Sequence, residues 1–189
     1  MNYKETAIST ERIYDGKVVK LRKDVVELPN GKQAFREVVE HIGGVAIALE
    51  DTDGTFFLVT QWRYGQGRTL LEFPAGKKEI GEEPLETGKR EIIEETGYSG
   101  KDYYYLGQMV PTGAYDSEVI DLYYAKVDQY YGQHFDEDEF VTVSKHTLDE
   151  LEEMILNREI SDGKTIAMTF MIKELKKRVM EVCLYVFGL

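Results

Sequence analysis

Apolar positions along this chain recur first with a period of two and later with a period of three to four. Residues 6 to 41 read as strands. Val18-Val19-Lys20-Leu21-Arg22-Lys23-Asp24-Val25-Val26-Glu27-Leu28 is rich in β-branched residues and partly alternates. Pro29-Asn30-Gly31 signals a turn, and Gln33 to His41 resumes the pattern, which predicts a hairpin. After Gly43-Gly44, the unbroken apolar run Val45-Ala46-Ile47-Ala48-Leu49 predicts a strand buried on both faces. Further strands are expected over Thr55–Gln61, Tyr103–Leu106, Val119–Val127 and Phe140–Val143, with looser chain at Trp62–Arg68 and a loop at Pro111–Asp116. Helical spacing marks three segments. Pro84 to Thr96 stops at Gly97. Thr147 to Asn157 opens with Thr147 and Glu150 in a capping-box pattern. The last helix starts at Ser161 or Asp162, with Met168, Met171, Leu175 and Val179 as its expected packing face.

Composition narrows the class. In 189 residues, 42% hydrophobic content is ample for a core, so we expect one domain with an extra N-terminal piece. A formal charge of -12 argues against nucleic acid or an anionic membrane as partner. The lone Cys183 excludes an intramolecular disulfide and fits a reducing cytoplasm. There is no signal-peptide pattern at Met1–Glu5 and no apolar run near the ~20 residues of a membrane span. The expected protein is cytoplasmic, with no membrane and no nucleic-acid partner.

The chemistry concentrates between Gly76 and Tyr98. Glu82 lies six residues after Gly76, and Arg90-Glu91-Ile92-Ile93-Glu94-Glu95-Thr96-Gly97 follows on the predicted helix. Glu91 and Glu95 are one turn apart and Glu94 is their neighbour, whereas Leu85, Ile92 and Thr96 fall on another stripe. Like charges at that spacing destabilise a helix by a few tenths of a kcal/mol per pair. A cation between them reverses the sign, and carboxylates suit Mg²⁺ or Mn²⁺.

The Gly76–Tyr98 pattern resembles the Nudix box at every defining position. Gln61-Trp62-Arg63, Leu71-Glu72-Phe73-Pro74-Ala75-Gly76, Asp162-Gly163-Lys164-Thr165 and the N-terminal strand pair resemble the ADP-ribose pyrophosphatase branch, which hydrolyses nucleoside diphosphate sugars. The likeness spans roughly Ile13 to Lys173. Thr87-Gly88 departs from it, standing where the family commonly has two alanines; Gly88 costs about 1 kcal/mol in a helix and would let the helix approach the sheet.

The resemblance implies an α/β fold: a three-layer α/β/α sandwich with a mixed sheet over residues 43–189, plus a small antiparallel N-terminal sheet over residues 1–42 in contact across a homodimer. It implies Mg²⁺-dependent attack of water on the diphosphate of ADP-ribose or a related sugar nucleotide, GDP-mannose being the alternative substrate. A nucleotide-sugar sensor that binds without cutting is the alternative from another class. Glu91, Glu95, Glu94, Glu139 and the carbonyl of Ala75 are the implied metal ligands. Arg90 would hold the box acids in place, and Glu82 would assist or bind metal through water. The base that takes the proton would come from the acidic run Asp136–Glu139, with Glu137 the candidate and Glu118 its rival. Arg63 would grip the diphosphate as a planar fork. Arg36 and Glu72, with Gly113 and Glu118 of the loop after Pro111, would meet the sugar or base. Tyr14, Phe35, Trp62 and Tyr115 are the candidates to stack on the nucleobase. Gly76 and Gly97 are expected to serve backbone geometry. The scattered His41, His134 and His146 predict no zinc site.

Overall fold

The computed structural model describes residues 2–134 and 140–187, the last six of these by backbone alone. Its chain forms two compact units.

The first unit joins residues 1–43 to residues 110–119. Strands β1 (Thr6–Asp15), β2 (Lys20–Glu27) and β3 (Gln33–Glu40) form an antiparallel sheet in that order. The turn at Pro29-Asn30-Gly31 places Gly31 at φ 79°, a conformation that suits glycine. The segment 110–119 lies about 70 residues further on, yet it is stitched to the end of β3. Val39 N donates to Tyr115 O (2.7 Å), Ser117 N to Val39 O (2.9 Å), and Val39 bridges Asp116 in parallel.

The second unit holds residues 44–109 and 120–189. Strands β4 (Gly44–Glu50), β5 (Phe56–Arg63), β6 (Arg68–Glu72), β7 (Ala75–Lys77), β8 (Tyr98–Met109), β9 (Ile120–Tyr130) and β10 (Val141–His146) form a seven-stranded sheet. Its main order is β10-β5-β4-β9-β8, with β6 on β5 and β7 on β4. The β4–β9 pair is parallel and the rest antiparallel, so the sheet is mixed. Val45 to Leu49 are fully buried and divide by alternation. Ala46 and Ala48 face a core with Phe56, Leu58, Leu151, Met168 and Ile172, under helices α2 (Leu148–Leu156) and α3 (Gly163–Phe187). Ile47 and Leu49 face Ile92 of α1 (Pro84–Thr96), together with Phe57 and Val127. Helices thus cover both faces of the sheet, giving the expected α/β/α layers, and the first unit supplies the expected small antiparallel sheet.

Several local expectations hold, and some need correction. Thr147 caps α2 through a reciprocal capping box with Glu150. Of the two caps proposed for α3, Asp162 is the one used, its Oδ2 accepting from Thr165 N at 2.9 Å. The chain from Trp62 to Arg68 is more ordered than its pattern suggests: β5 runs on to Arg63, and a single 3-10 turn leads into β6. The packing face of α3 matches the predicted stripe only in part, at Met168 and the half-buried Leu175. Thr165, Met168, Thr169 and Ile172 are buried, while Met171 and Val179 are exposed. Helical periodicity located the direction of that face near its start, and from residue 173 to 181 the side chains are half-buried or exposed.

Candidate active site

The box loop and α1 bring the acids together around the short strand β7. Pro74 O accepts from Ile47 N at 3.0 Å, and Phe73 N donates to Thr165 Oγ1 at 2.9 Å, so the approach to Ala75 is held from both sides. Glu95, only 5% exposed, accepts from Ala75 N through Oε2 at 3.1 Å. It therefore sits among the buried residues of α1, with Thr87, Gly88, Ile92 and Thr96.

Gly76 serves contact rather than unusual backbone geometry. A Cβ built there would lie 1.8 Å from Glu91 Cδ and 2.2 Å from Glu91 Cγ. The Glu91 side chain occupies the space a larger residue would need. Gly97 does what a helix stop requires, ending α1 at φ 81° with its N–H on Ile93 O. Gly88 permits close packing on β4, since a Cβ would fall 2.6 Å from Ile47 Cδ1. Thr87, the other departure, donates its hydroxyl to Glu82 Oε2 at 2.6 Å and holds that carboxyl below its usual pKa.

Arg90 lies among the box acids. Its Nη1 reaches Glu91 Oε1 at 2.8 Å and Glu94 Oε2 at 2.9 Å, and Nη2 lies 3.6 Å from Glu82 Oε2. Burial works against its charge, but Glu91 and Glu94 outweigh burial and raise its pKa. Its buried Nε has no hydrogen-bond partner among the described residues.

A second ionic network lies beside Ala75. Glu72, 1% exposed, is gripped by Arg63 as a fork, Nε to Oε1 and Nη2 to Oε2 at 2.7 Å each. Lys164 Nζ also bonds Glu72 Oε2 and lies 3.1 Å from Asp162 Oδ1. Burial opposes ionisation of Glu72, and Arg63 and Lys164 overcome it, leaving its pKa lowered. The Arg63 pKa is raised, first by its bonds to Glu72, with smaller contributions from Asp162 and Glu95. The network is thus electrically linked to the box helix.

Sequence reasoning passed over three groups in this unit. Asp121, 4% exposed, binds Lys78 of the box loop (3.0 Å), Gln108 Nε2 (2.9 Å) and Tyr105 OH (3.1 Å). Burial opposes its charge, and Gln108 and Lys78 more than offset that, so its pKa is lowered. A single acid inside the apolar run Val119–Val127 was the available signal. Lys164 and Thr165 were noticed only as part of a motif, without a role.

The other predicted residues divide between the units. Arg36 belongs to the first, where it pairs with Glu5 (Nε to Oε2, 2.8 Å). Gly113 and Glu118 lie in the 110–119 segment, and Glu118 Oε1 is 3.0 Å from His41 Nδ1. Tyr14, Phe35, Trp62 and Tyr115 are all exposed, so none is a core aromatic. Glu137 and Glu139 lie outside the described residues. The chain that leads to them is anchored on the end of α1: His134 N donates to Glu94 O (3.0 Å), Gln133 Nε2 to Glu95 O (2.9 Å) and Tyr131 N to Gly97 O (2.7 Å).

The donor set suits a hard divalent cation, because Glu91, Glu94, Glu95 and the Ala75 carbonyl offer only oxygen. Among the described residues no three acidic, histidine or cysteine side chains already form a cage. Arg90 holds Glu91 and Glu94, and an amide holds Glu95.

Two family models match successive parts of the chain. The NUDIX domain family model matches residues 40–168, and the nucleoside diphosphate sugar hydrolase N-terminal domain matches residues 5–39. The chain is 40% identical over 166 residues to a methanol dehydrogenase activator of Bacillus methanolicus, covering 87% of this chain and 90% of that one. It is 39% identical over 163 residues to an ADP-ribose pyrophosphatase of Bacillus subtilis, covering 85% and 88%. In fold it is similar to the crystal structure of an ADP compounds hydrolase, with a TM-score of 0.81 at 19% identity over 92% of this chain and 95% of that one. No helix among the described residues is long and apolar enough to cross a membrane.

Proposed function

Given that the chain belongs to the Nudix hydrolase family, in the branch that holds the ADP-ribose pyrophosphatases, we propose that it hydrolyses the diphosphate of ADP-ribose or a closely related nucleoside diphosphate sugar, with Mg²⁺ as its cation. The observation that carries this reading is the box geometry: Glu95 bonded to Ala75, Glu91 packed on Gly76, and Arg90 between Glu91 and Glu94. The match of residues 5–39 to a nucleoside diphosphate sugar hydrolase domain favours a sugar nucleotide over other diphosphates.

Glu91, Glu94, Glu95 and the Ala75 carbonyl would hold the metal, with Glu139 as the further ligand assigned from the acidic run. When bound, a divalent ion lowers the pKa of an attached water and neutralises diphosphate oxygens. Arg90 keeps the box acids from splaying apart, as groups behind a metal ligand do. Arg63 turns its fork towards the diphosphate while Lys164 remains on Glu72, so Glu72 is not left unpaired. Glu137 takes the proton from the attacking water, with Glu118 the rival base. The water oxygen bonds to phosphorus as the bridging P–O bond breaks, and ADP-ribose gives AMP and ribose 5-phosphate. Arg36, Gly113 and Glu118 bind the sugar and base, and one exposed aromatic stacks on the base. Residues 1–42 pair with a second copy; β1 is exposed along its whole length, including Ile8, Ile13 and Tyr14, which supports a covering partner. The single cysteine favours the cytoplasm.

The test is incubation of the purified chain with Mg²⁺ and ADP-ribose, GDP-mannose, UDP-glucose or NADH, followed by product separation. AMP and ribose 5-phosphate should form from ADP-ribose, stop with a chelator and return with Mg²⁺. Failure to cleave any of the four overturns the reading. Light scattering should give twice the monomer mass of 21.8 kDa.

A further inference from the structure

We propose that His41 is a positioning residue for Glu118, a proton on its Nδ1 holding the carboxylate in place for the ligand. The inference rests on the reading above that Glu118 meets the sugar nucleotide.

One ring nitrogen of His41 has two partners. Glu118 Oε1 lies 3.0 Å from His41 Nδ1, and Gly43 N donates to the same Nδ1 at 3.1 Å. These contacts need opposite states of the atom. To accept from an amide, Nδ1 must offer its lone pair; to bind a carboxylate, it must carry a proton. One imidazole cannot satisfy both at once. With the proton on Nδ1, Glu118 is held and the Gly43 amide is released. With the lone pair on Nδ1, the amide is satisfied and Glu118 faces a lone pair that repels it.

The surroundings make this choice consequential. The side chains of His41 and Glu118 are only 14% and 24% exposed, so water competes weakly. Gly43 is buried and sits at φ 95°, so its amide has little other recourse. The backbone on both sides is held. His41 N donates to Ser117 Oγ at 3.1 Å, and Glu118 N to Asp116 Oδ1 at 2.9 Å. Val39 bonds both Tyr115 and Ser117. Since β3 and the 110–119 segment are clamped together, the His41–Glu118 contact is a matter of side-chain state rather than loop position. Held through Oε1 by a protonated Nδ1, Glu118 keeps one place for the ligand, and the Gly43 amide is the group left unpaired.

The pair is tested with the full chain, using ADP-ribose hydrolysis and binding of the non-hydrolysable α,β-methylene analogue of ADP-ribose. His41→Phe should raise KM and the analogue Kd about tenfold, the size of one charge-assisted hydrogen bond, and leave kcat within about threefold. Glu118→Gln should do at least as much. The double variant should be no worse than Glu118→Gln alone, because both substitutions remove one interaction. His41→Asn, which keeps a donor near the Nδ1 position, should recover most of the affinity. Wild-type KM in His41→Phe, or effects that multiply in the double variant, would overturn the proposal. A readout independent of turnover and of how His41 variants fold is the Nδ1 resonance of His41 in ¹⁵N-labelled protein. It should shift in Glu118→Gln; an unmoved resonance refutes the contact. If the wild type cleaves no sugar nucleotide, the substrate reading fails instead.

Discussion

The two glycines that bracket the box should fail in different ways when replaced by alanine. At Gly76 the added Cβ falls 1.8 Å from Glu91 Cδ and 2.2 Å from its Cγ, where ordinary carbon contacts lie at about 3.5–4.0 Å. Glu91 must therefore retreat by roughly 1.5–2 Å, and because Cγ is involved the move requires a new χ1. The clashing atoms belong to a partly exposed side chain, so the fold can absorb the change for about 0.5–1.5 kcal/mol. Catalysis cannot absorb it so easily: a misplacement of about 1 Å can cost ~100-fold. Gly97→Ala presents the reverse case. Its φ of 81° costs alanine about 1–2 kcal/mol, and the new Cβ would meet the Gly132 backbone at 3.0 Å. At this chain length that strain lowers Tm by roughly 2–8 °C. Thermal melts and steady-state kinetics on both variants separate the cases. Gly76→Ala should keep a near-normal melt and lose at least ~100-fold in kcat/KM. Gly97→Ala should lose stability yet retain most of its rate below the melt. A Gly76→Ala enzyme of near-wild-type activity would refute the role given to Glu91.

Other consequences follow from the two ionic networks. Lys164→Met leaves the buried Glu72 with Arg63 alone and should cost about 3 kcal/mol in denaturant unfolding, the lower end for a broken buried pair. An unchanged midpoint would mean that Lys164 does not support Glu72. The lowered pKa of Glu72 makes its stabilisation present above the unfolded value of about 4.3 and lost as pH falls through the lower folded value. Glu72→Gln should therefore show a shallower fall in Tm between about pH 5 and pH 3 than the wild type; identical acid limbs would count against the pairing. Arg90→Gln leaves Glu91 and Glu94 without their shared cation and should lower kcat by about 10–100-fold, with the circular dichroism spectrum retained. A wild-type kcat would show that the acids hold their places without it.

Much of the framework was legible because its signals are local. The both-face burial of Val45–Leu49, the stop at Gly97 and the capping box at Thr147 each depend on residues within a few positions, whose relative geometry the backbone largely sets. The box spacing brought Glu91, Glu94 and Arg90 together for the same reason. It did not record the bond from the Ala75 amide to Glu95, because a helical wheel knows only the angle along one helix. The stripe on α3 held only in part for a related reason: period predicts a face, but whether anything covers that face is set elsewhere.

Sequence alone thus determined the elements, the acid-rich helix and the kind of chemistry it suits. Tertiary structure decided which groups act on one another. It closed Arg63 and Lys164 on Glu72, joining residues up to 92 positions apart, and it tied Asp121 to Lys78. It also drew the 110–119 segment to the N-terminal sheet and brought Glu118 to His41. The physical reason is that helix and strand periodicities follow from φ, ψ and near neighbours. A buried ion pair depends instead on how strand order and packing bring distant segments together, and no local pattern records that distance.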